Sequence, residues 1–139
     1  WLLRPECWYY TNKSGAMLTG WQEVSGKWYY LDATNEEYPG LMLSDCTKKI
    51  WNCTYFFDRS GAMSVGWVLR PEGWYYTNKS GAMLTGWQKV SGKWYYLDAT
   101  NEEYPGVMLA GCERIIGDKT YFFMSSGAMR AGWYSENGS

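Results

Sequence analysis

The sequence contains no histidine. Without an imidazole there is no Ser-His-Asp triad, no Cys-His pair and no His-ligated zinc hydrolase. The four cysteines do not stand at the short spacings that metal ligation uses. Leucine, isoleucine, valine and phenylalanine are sparse, so a large aliphatic core is not available. The formal net charge is −1 and the lysines and arginines do not cluster, which gives no electrostatic basis for a nucleic-acid or anionic-membrane partner. No apolar run approaches the ~18 residues of a membrane-spanning helix. There is no signal-peptide pattern, and the chain opens at Trp1 in mid-motif, so it reads as a piece of a longer protein.

What is abundant is aromatic: Trp, Tyr and Phe make up 19% of the residues. They follow a repeat. Sliding the chain by 66 residues aligns 1–66 with 67–132 without a gap, and 50 of the 66 positions are identical. Within each block the same phrase occurs three times. Trp67 to Met83 gives it in full, as Trp-x₆-Trp-Tyr-Tyr-x₄-Gly-Ala-Met, and Trp1 to Met17 matches it. Trp21 to Tyr30 and Trp87 to Tyr96 repeat its first half. The third unit of each block is degenerate, with Cys46 or Cys112 in the first Trp slot and Thr54 or Thr120 in the second. Residues 1–139 therefore read as one repeat module: two blocks, 1–66 and 67–132, of three units each, plus a partial unit, 133–139. In such an array each unit leans on its neighbours.

The unit Trp21-Gln-Glu-Val-Ser-Gly-Lys-Trp28-Tyr29-Tyr30 places two aromatic and β-branched runs around Ser-Gly, a two-residue turn, and so predicts a β-hairpin. With Val24 opposite Lys27, Glu23 faces Trp28 and Trp21 faces Tyr30. Alternation then puts Trp21, Trp28 and Tyr30 on one face and Tyr29 on the other. On this reading Tyr9, Tyr29, Tyr75 and Tyr95, on the opposite face, are core. A lone hairpin is marginal in water, so the units must stack, and the class is all-β. Gly-x-Met makes the joint between hairpins, with Met as a soft filler against rings. The second joint of each block is longer and bulges as a loop, Asp32–Gly40 and Asp98–Gly106. A block of three that returns to itself suggests about three hairpins per superhelical turn. Asp32 with Glu36 and Glu37 could be imagined as a glycosidase couple, but these read better as solvated carboxylates of a flexible loop.

Cys7 and Cys53 are both replaced in the second block, by Gly73 and Lys119, as a bonded pair would be lost together. A Cys7–Cys53 disulfide is the expected pairing, with Cys46 and Cys112 outside it, and it would imply an exported protein.

The tandem phrase Trp-x₆-Trp-Tyr-Tyr-x₄-Gly-x-Met-x-x-Gly-Trp resembles the choline-binding repeats of cell-wall proteins of Gram-positive bacteria and their phages, over essentially the whole chain. The resemblance implies a left-handed β-solenoid of hairpins, extracellular at the cell wall, holding the choline or phosphocholine of teichoic acids in aromatic cages. It implies sites made of two Trp of one hairpin and the last aromatic of the next. Those are Trp1, Trp8 and Tyr30, and Trp67, Trp74 and Tyr96. A second pair would be Trp21, Trp28 and Phe56, and Trp87, Trp94 and Phe122, with Met17, Met42, Met83 and Met108 as accessory contacts. The degenerate joints would carry no site. No catalytic residue, metal or cofactor is implied, and an open last hairpin at Trp133 leaves pairing of two copies as a homodimer an open alternative. Ring faces suit a trimethylammonium, which cannot donate hydrogen bonds and is weakly hydrated. Two rival readings remain: a glucan-binding module that stacks sugars on the same tryptophans, and a spacer with no ligand.

Overall fold

The computed structural model describes residues 1–4 and 8–130. Every paired strand is antiparallel, and no helix occurs among the described residues. The chain falls into two compact units, one of residues 1–66 with 77–82 and the other of 67–76 with 83 onward.

In the first unit β1 (Leu2–Leu3) pairs with β2 (Trp8–Tyr9). β3 (Gly20–Val24) and β4 (Lys27–Asp32) form the next hairpin, which β5 (Leu41–Met42) extends to three strands. β6 (Cys46–Ile50) and β7 (Cys53–Phe57) close the unit. The second unit repeats the plan. β8 (Trp67–Arg70) pairs with β9 (Gly73–Tyr76), β10 (Gly86–Val90) with β11 (Lys93–Asp98), β11 with β12 (Val107–Met108), and β13 (Cys112–Ile116) with β14 (Lys119–Phe123).

The register is the one that Ser-Gly dictates. Val24 lies opposite Lys27, Glu23 opposite Trp28 and Trp21 opposite Tyr30. Ser25 and Gly26 both take positive φ, 52° and 79°, as a two-residue turn with the twist of its strands requires.

The joints share one backbone device. In all six units the amide after the joint methionine donates to the carbonyl of the last aromatic slot: Leu18 to Tyr10, Leu43 to Tyr30, Ser64 to Phe56, Leu84 to Tyr76, Leu109 to Tyr96 and Arg130 to Phe122. Five of these methionine side chains lie on the glycine of the following joint, Met17 on Gly40, Met42 on Gly61, Met63 on Gly81, Met83 on Gly106 and Met108 on Gly127. A Cβ on Gly40 would stand 2.8 Å from the Met17 sulfur, so the bare backbone is what admits the thioether.

Of the loop carboxylates expected to be solvated, Glu36 and Glu37 are exposed but Asp32 is not. Asp32 is buried; its Oδ1 accepts bonds from the Thr34 amide and hydroxyl, and its carbonyl accepts from the Gly40 amide. Asn35 Oδ1 takes the amides of Glu37 and Tyr38. The Lys48 ammonium stands 3.8 Å from Asp32, and in the second unit the Arg114 guanidinium bonds Asp98 at 2.9 Å. A buried carboxylate needs such partners, and here they tie the loop down.

The core is thin, as the composition demands: Leu31, Phe56 and Phe57 in the first unit, and Leu97, Tyr75 and Phe123 in the second. Of the four tyrosines expected in the core, Tyr9 and Tyr75 are buried, and the Tyr75 hydroxyl donates to Glu72; Tyr29 and Tyr95 are only half-buried, because they face the tryptophans of the preceding hairpin instead.

The expected Cys7–Cys53 bond involves Cys7, which lies outside the described residues. Cys53 is exposed. Cys46 and Cys112 are half-buried in the slots that carry Trp elsewhere. Trp133 also lies outside the described residues.

Candidate functional site

Four tryptophan pairs recur with one geometry. The ring centroids of Trp1 and Trp8 are 6.5 Å apart at 82°, and those of Trp21 and Trp28 are 6.3 Å apart at 81°. Trp67 with Trp74 and Trp87 with Trp94 repeat this at 6.3 Å and 86°. The hairpin explains the constancy. The first Trp pairs across the strands with the last aromatic, and the second Trp lies two residues before that aromatic, so all three rings share a face. Trp21, Trp67 and Trp87 are half-buried between neighbours, Trp1 is exposed, and Trp8, Trp28, Trp74 and Trp94 are each about 40% exposed and stand out as walls.

The third wall is not the expected residue. Tyr30 rests on Trp21 of its own hairpin at 5.1 Å, and Tyr96 rests on Trp87 in the same way. The ring that approaches Trp1 is Tyr29, at 4.8 Å, and the ring that approaches Trp67 is Tyr95, at 4.9 Å. Likewise Tyr55 meets Trp21 and Tyr121 meets Trp87, both at 4.8 Å, where Phe56 and Phe122 were expected. Phe56 is in the core, and Phe122 is exposed. The reason is the pleat. The last aromatic shares a face with its own tryptophans, whereas the middle aromatic points the other way, toward the tryptophans of the preceding hairpin. Alternation had already separated Tyr29 from Trp21 in the sequence, and that signal was sufficient to choose the middle ring.

Three of these corners enclose open cavities. Trp1, Trp8, Tyr29, Met42 and Ser60 line one of about 170 Å³. Trp21, Trp28, Tyr55, Met63, Lys79 and Ser80 line one of about 400 Å³. Trp67, Trp74, Tyr95, Met108 and Ser126 line one of about 270 Å³. Of the expected accessory methionines, Met42 and Met108 are therefore at cavities. Met17 and Met83 lie on Gly40 and Gly106, and Met63 takes a place that the sequence reading did not assign. Its amide bonds the Trp28 carbonyl at 2.8 Å, as the Met129 amide bonds that of Trp94 at 2.6 Å.

Burial, with the nearby Cys53 thiol adding to it, pushes the Tyr55 phenol above its ordinary value, so this wall stays a neutral ring. Burial and the bond to Glu72 likewise raise Tyr75. For Asp98, burial alone would raise the carboxyl, but bonds from Thr100 and Arg114 outweigh it and hold the group below the usual carboxylate range. At the fourth corner, the Lys89 ammonium lies 6.0 Å from the Trp94 ring centroid. No cluster of groups able to hold a metal occurs among the described residues. Perpendicular indole faces closed by a phenol, with a thioether at the edge, present electron-rich surface and few hydrogen-bonding groups. That arrangement selects a compact, weakly hydrated cation over a hydrogen-bonding ligand.

Residues 6–38, 46–85 and 72–104 match the family described as choline-binding repeat. Among solved structures, choline binding protein F from Streptococcus pneumoniae aligns with 93% of this chain and 43% of its own, at 38% identity and a TM-score of 0.76. CbpJ from the same bacterium aligns with 91% of this chain and 43% of its own, at 37% identity and a TM-score of 0.78. The pneumococcal cell-wall endolysin from phage Cp-1, in a complex with choline, aligns with 95% of this chain and 37% of its own, at 32% identity and a TM-score of 0.62. The chain thus spans less than half the length of each. A search of curated protein sequences gave no match.

Proposed function

The chain belongs to the choline-binding repeat family, and on that premise we propose that it is a cell-wall attachment module which grips the choline of teichoic and lipoteichoic acids. The repeat module is itself non-catalytic; it would tether an enzyme, adhesin or toxin domain of a longer protein to an extracellular surface. Residues 1–139 would act as one module, the three hairpins of each block making about one turn of a left-handed β-solenoid.

The observation that carries the reading is the repeated corner of two perpendicular tryptophans closed by a tyrosine of the following hairpin. The proposed cages are Trp1, Trp8 and Tyr29; Trp21, Trp28 and Tyr55; Trp67, Trp74 and Tyr95; and Trp87, Trp94 and Tyr121. Each ring face contributes about 0.5–2 kcal/mol toward a trimethylammonium. One exposed cage binds weakly, and several acting together on a polymer bind tightly.

The test is thermal unfolding with choline titrated in, with dextran and sodium chloride as controls. A ligand of the native state raises the midpoint in proportion to RT ln(1 + [L]/Kd). A choline-specific rise is expected, and it should shrink in a Trp8→Ala, Trp74→Ala double variant, since these exposed rings can be removed without opening the core. A rise with dextran alone would replace the choline reading with a glucan one, and no rise with either would leave a spacer.

A further inference from the structure

The cages have the same rings but different rims, and the cavity at Trp21 and Trp28 is the one lined by a cation. Lys79 and Ser80, from the joint of the fourth repeat, complete its wall. The slot before the rim serine holds Arg59 beside the first cavity and Ser125 beside the third, and only Lys79 reaches the lining of its cavity. Lys79 forms no ion pair among the described residues.

The serines differ too. The Ser60 hydroxyl donates to Asp58 Oδ1 at 2.6 Å, so it is spent on a carboxylate that would also repel an anion. At Ser126 the hydroxyl oxygen accepts the Ala128 amide. The fourth repeat has Asn78 in the place of Asp58. Its Oδ1 takes the amides of Ser80 and Ala82, and the Ser80 hydroxyl is engaged with no protein group among the described residues. A free hydroxyl and a free ammonium thus share one rim.

A lysine at the edge of a cage for a bare cation is a liability, because like charges repel at this range. It becomes an asset when the ligand carries an anion on the far side of its ammonium. The hairpin itself carries the complementary sign: the register sets Glu23 opposite Trp28, on the ring-bearing face. We propose that the Trp21, Trp28 and Tyr55 cage is selective for phosphocholine over choline, the rings holding the trimethylammonium while Lys79 and Ser80 hold the phosphate. The other two cavities take the ammonium with no such preference. This rests on the choline-binding reading above. The source of the ligand would be phosphocholine carried on a soluble polymer rather than a bilayer, because the site is a corner between hairpins that a packed headgroup layer cannot enter.

The test uses the intact chain labelled with ¹⁵N, following the indole N–H signals of Trp28 and Trp74 while choline, phosphocholine or phosphatidylcholine vesicles are added. At Trp28 the midpoint for phosphocholine should lie at least about threefold below that for choline. At Trp74 the two midpoints should coincide, and vesicles should move neither signal. Lys79→Gln should remove the preference at Trp28 and leave Trp74 unchanged, and added salt should shrink it. Equal midpoints at Trp28, a preference that survives Lys79→Gln, or a response to vesicles would each overturn the proposal. If Trp74 responds to choline while Trp28 shows no preference, only this inference fails. If neither indole responds to either soluble ligand, the choline-binding reading fails with it.

Discussion

The hairpins Gly20–Asp32 and Gly86–Asp98 are identical except at one position, which holds Glu23 in the first and Lys89 in the second. Their rings superpose in every quantity that defines the cage. Trp to Trp is 6.3 Å in both, Trp to the last tyrosine 5.1 Å, and Trp to the tyrosine of the next hairpin 4.8 Å. What differs is charge and cover. Lys89 sets its ammonium over the Trp94 face, where the first hairpin has a carboxylate. In the hairpin that follows, Phe56 is 1% exposed and its counterpart Phe122 is 40% exposed. The repeat therefore holds the rings constant, and the residues between them set the charge beside each cage.

The largest effect expected from this comparison is on stability. Trp21 touches Trp28, Tyr30, Tyr55 and Phe57, and Trp87 touches the matching four rings. Trp21→Ala and Trp87→Ala should each cost about 3 kcal/mol in urea unfolding, near the lower end for a large aromatic removed from a packed site. Trp21→Ala should cost more, because the hairpin beneath it is better covered. Equal costs would mean that this cover contributes nothing.

A smaller effect separates the two long loops. Arg114 bonds the buried Asp98 at 2.9 Å, while Lys48 stands 3.8 Å from Asp32. Because Arg114 is half exposed, Arg114→Ala should lower stability by about 1 kcal/mol at neutral pH, and Lys48→Ala by less. The Asp98 carboxyl titrates below its unfolded value of 3.8 in the folded chain. Its contribution is therefore fully present above that value and is lost as pH falls through the folded one. Unfolding of the wild type and Arg114→Ala, compared from neutral pH down to about pH 3, should show the gap closing on acidification. A gap that stays constant would locate the loss in packing of the arginine stem.

The smallest expected effect falls on the single residue that differs. Lys89→Glu should strengthen choline binding at Trp94 by about threefold at low salt, and Glu23→Lys should weaken it at Trp28 by a similar factor. Indole signals of the two rings measure both in one titration. If exchanging the charges changes neither midpoint, the rings alone set the affinity.

Much of the cage was legible in the sequence because a hairpin with a two-residue turn has only one register that agrees with its pleat. Ser25-Gly26 fixed the pairing of Trp21 with Tyr30, and the spacing fixed Trp28 on the same face. The choice between Tyr29 and Tyr30 was legible too, but only by following the alternation of faces instead of the order of aromatics along the strand. Lys79 was beyond reach. It lies more than fifty residues from Trp21, and nothing in the spacing of the repeats says which joint residue reaches an earlier cage. Asp32 was misread for a related reason. A carboxylate in a polar loop looks solvated until its partners, Thr34 nearby and Lys48 on the next hairpin, are seen to close over it.

By itself, then, the sequence determined an all-β chain of hairpins in two near-identical blocks, with tryptophans paired in four of six units. Those features depend on local chemistry, the turn and the period of two, which act over a few residues. Tertiary structure alone decided which methionine stands at the edge of each cage and which charges rim it. These are contacts between successive hairpins, set by how one pleated face lands on the next, and no short-range rule encodes that distance.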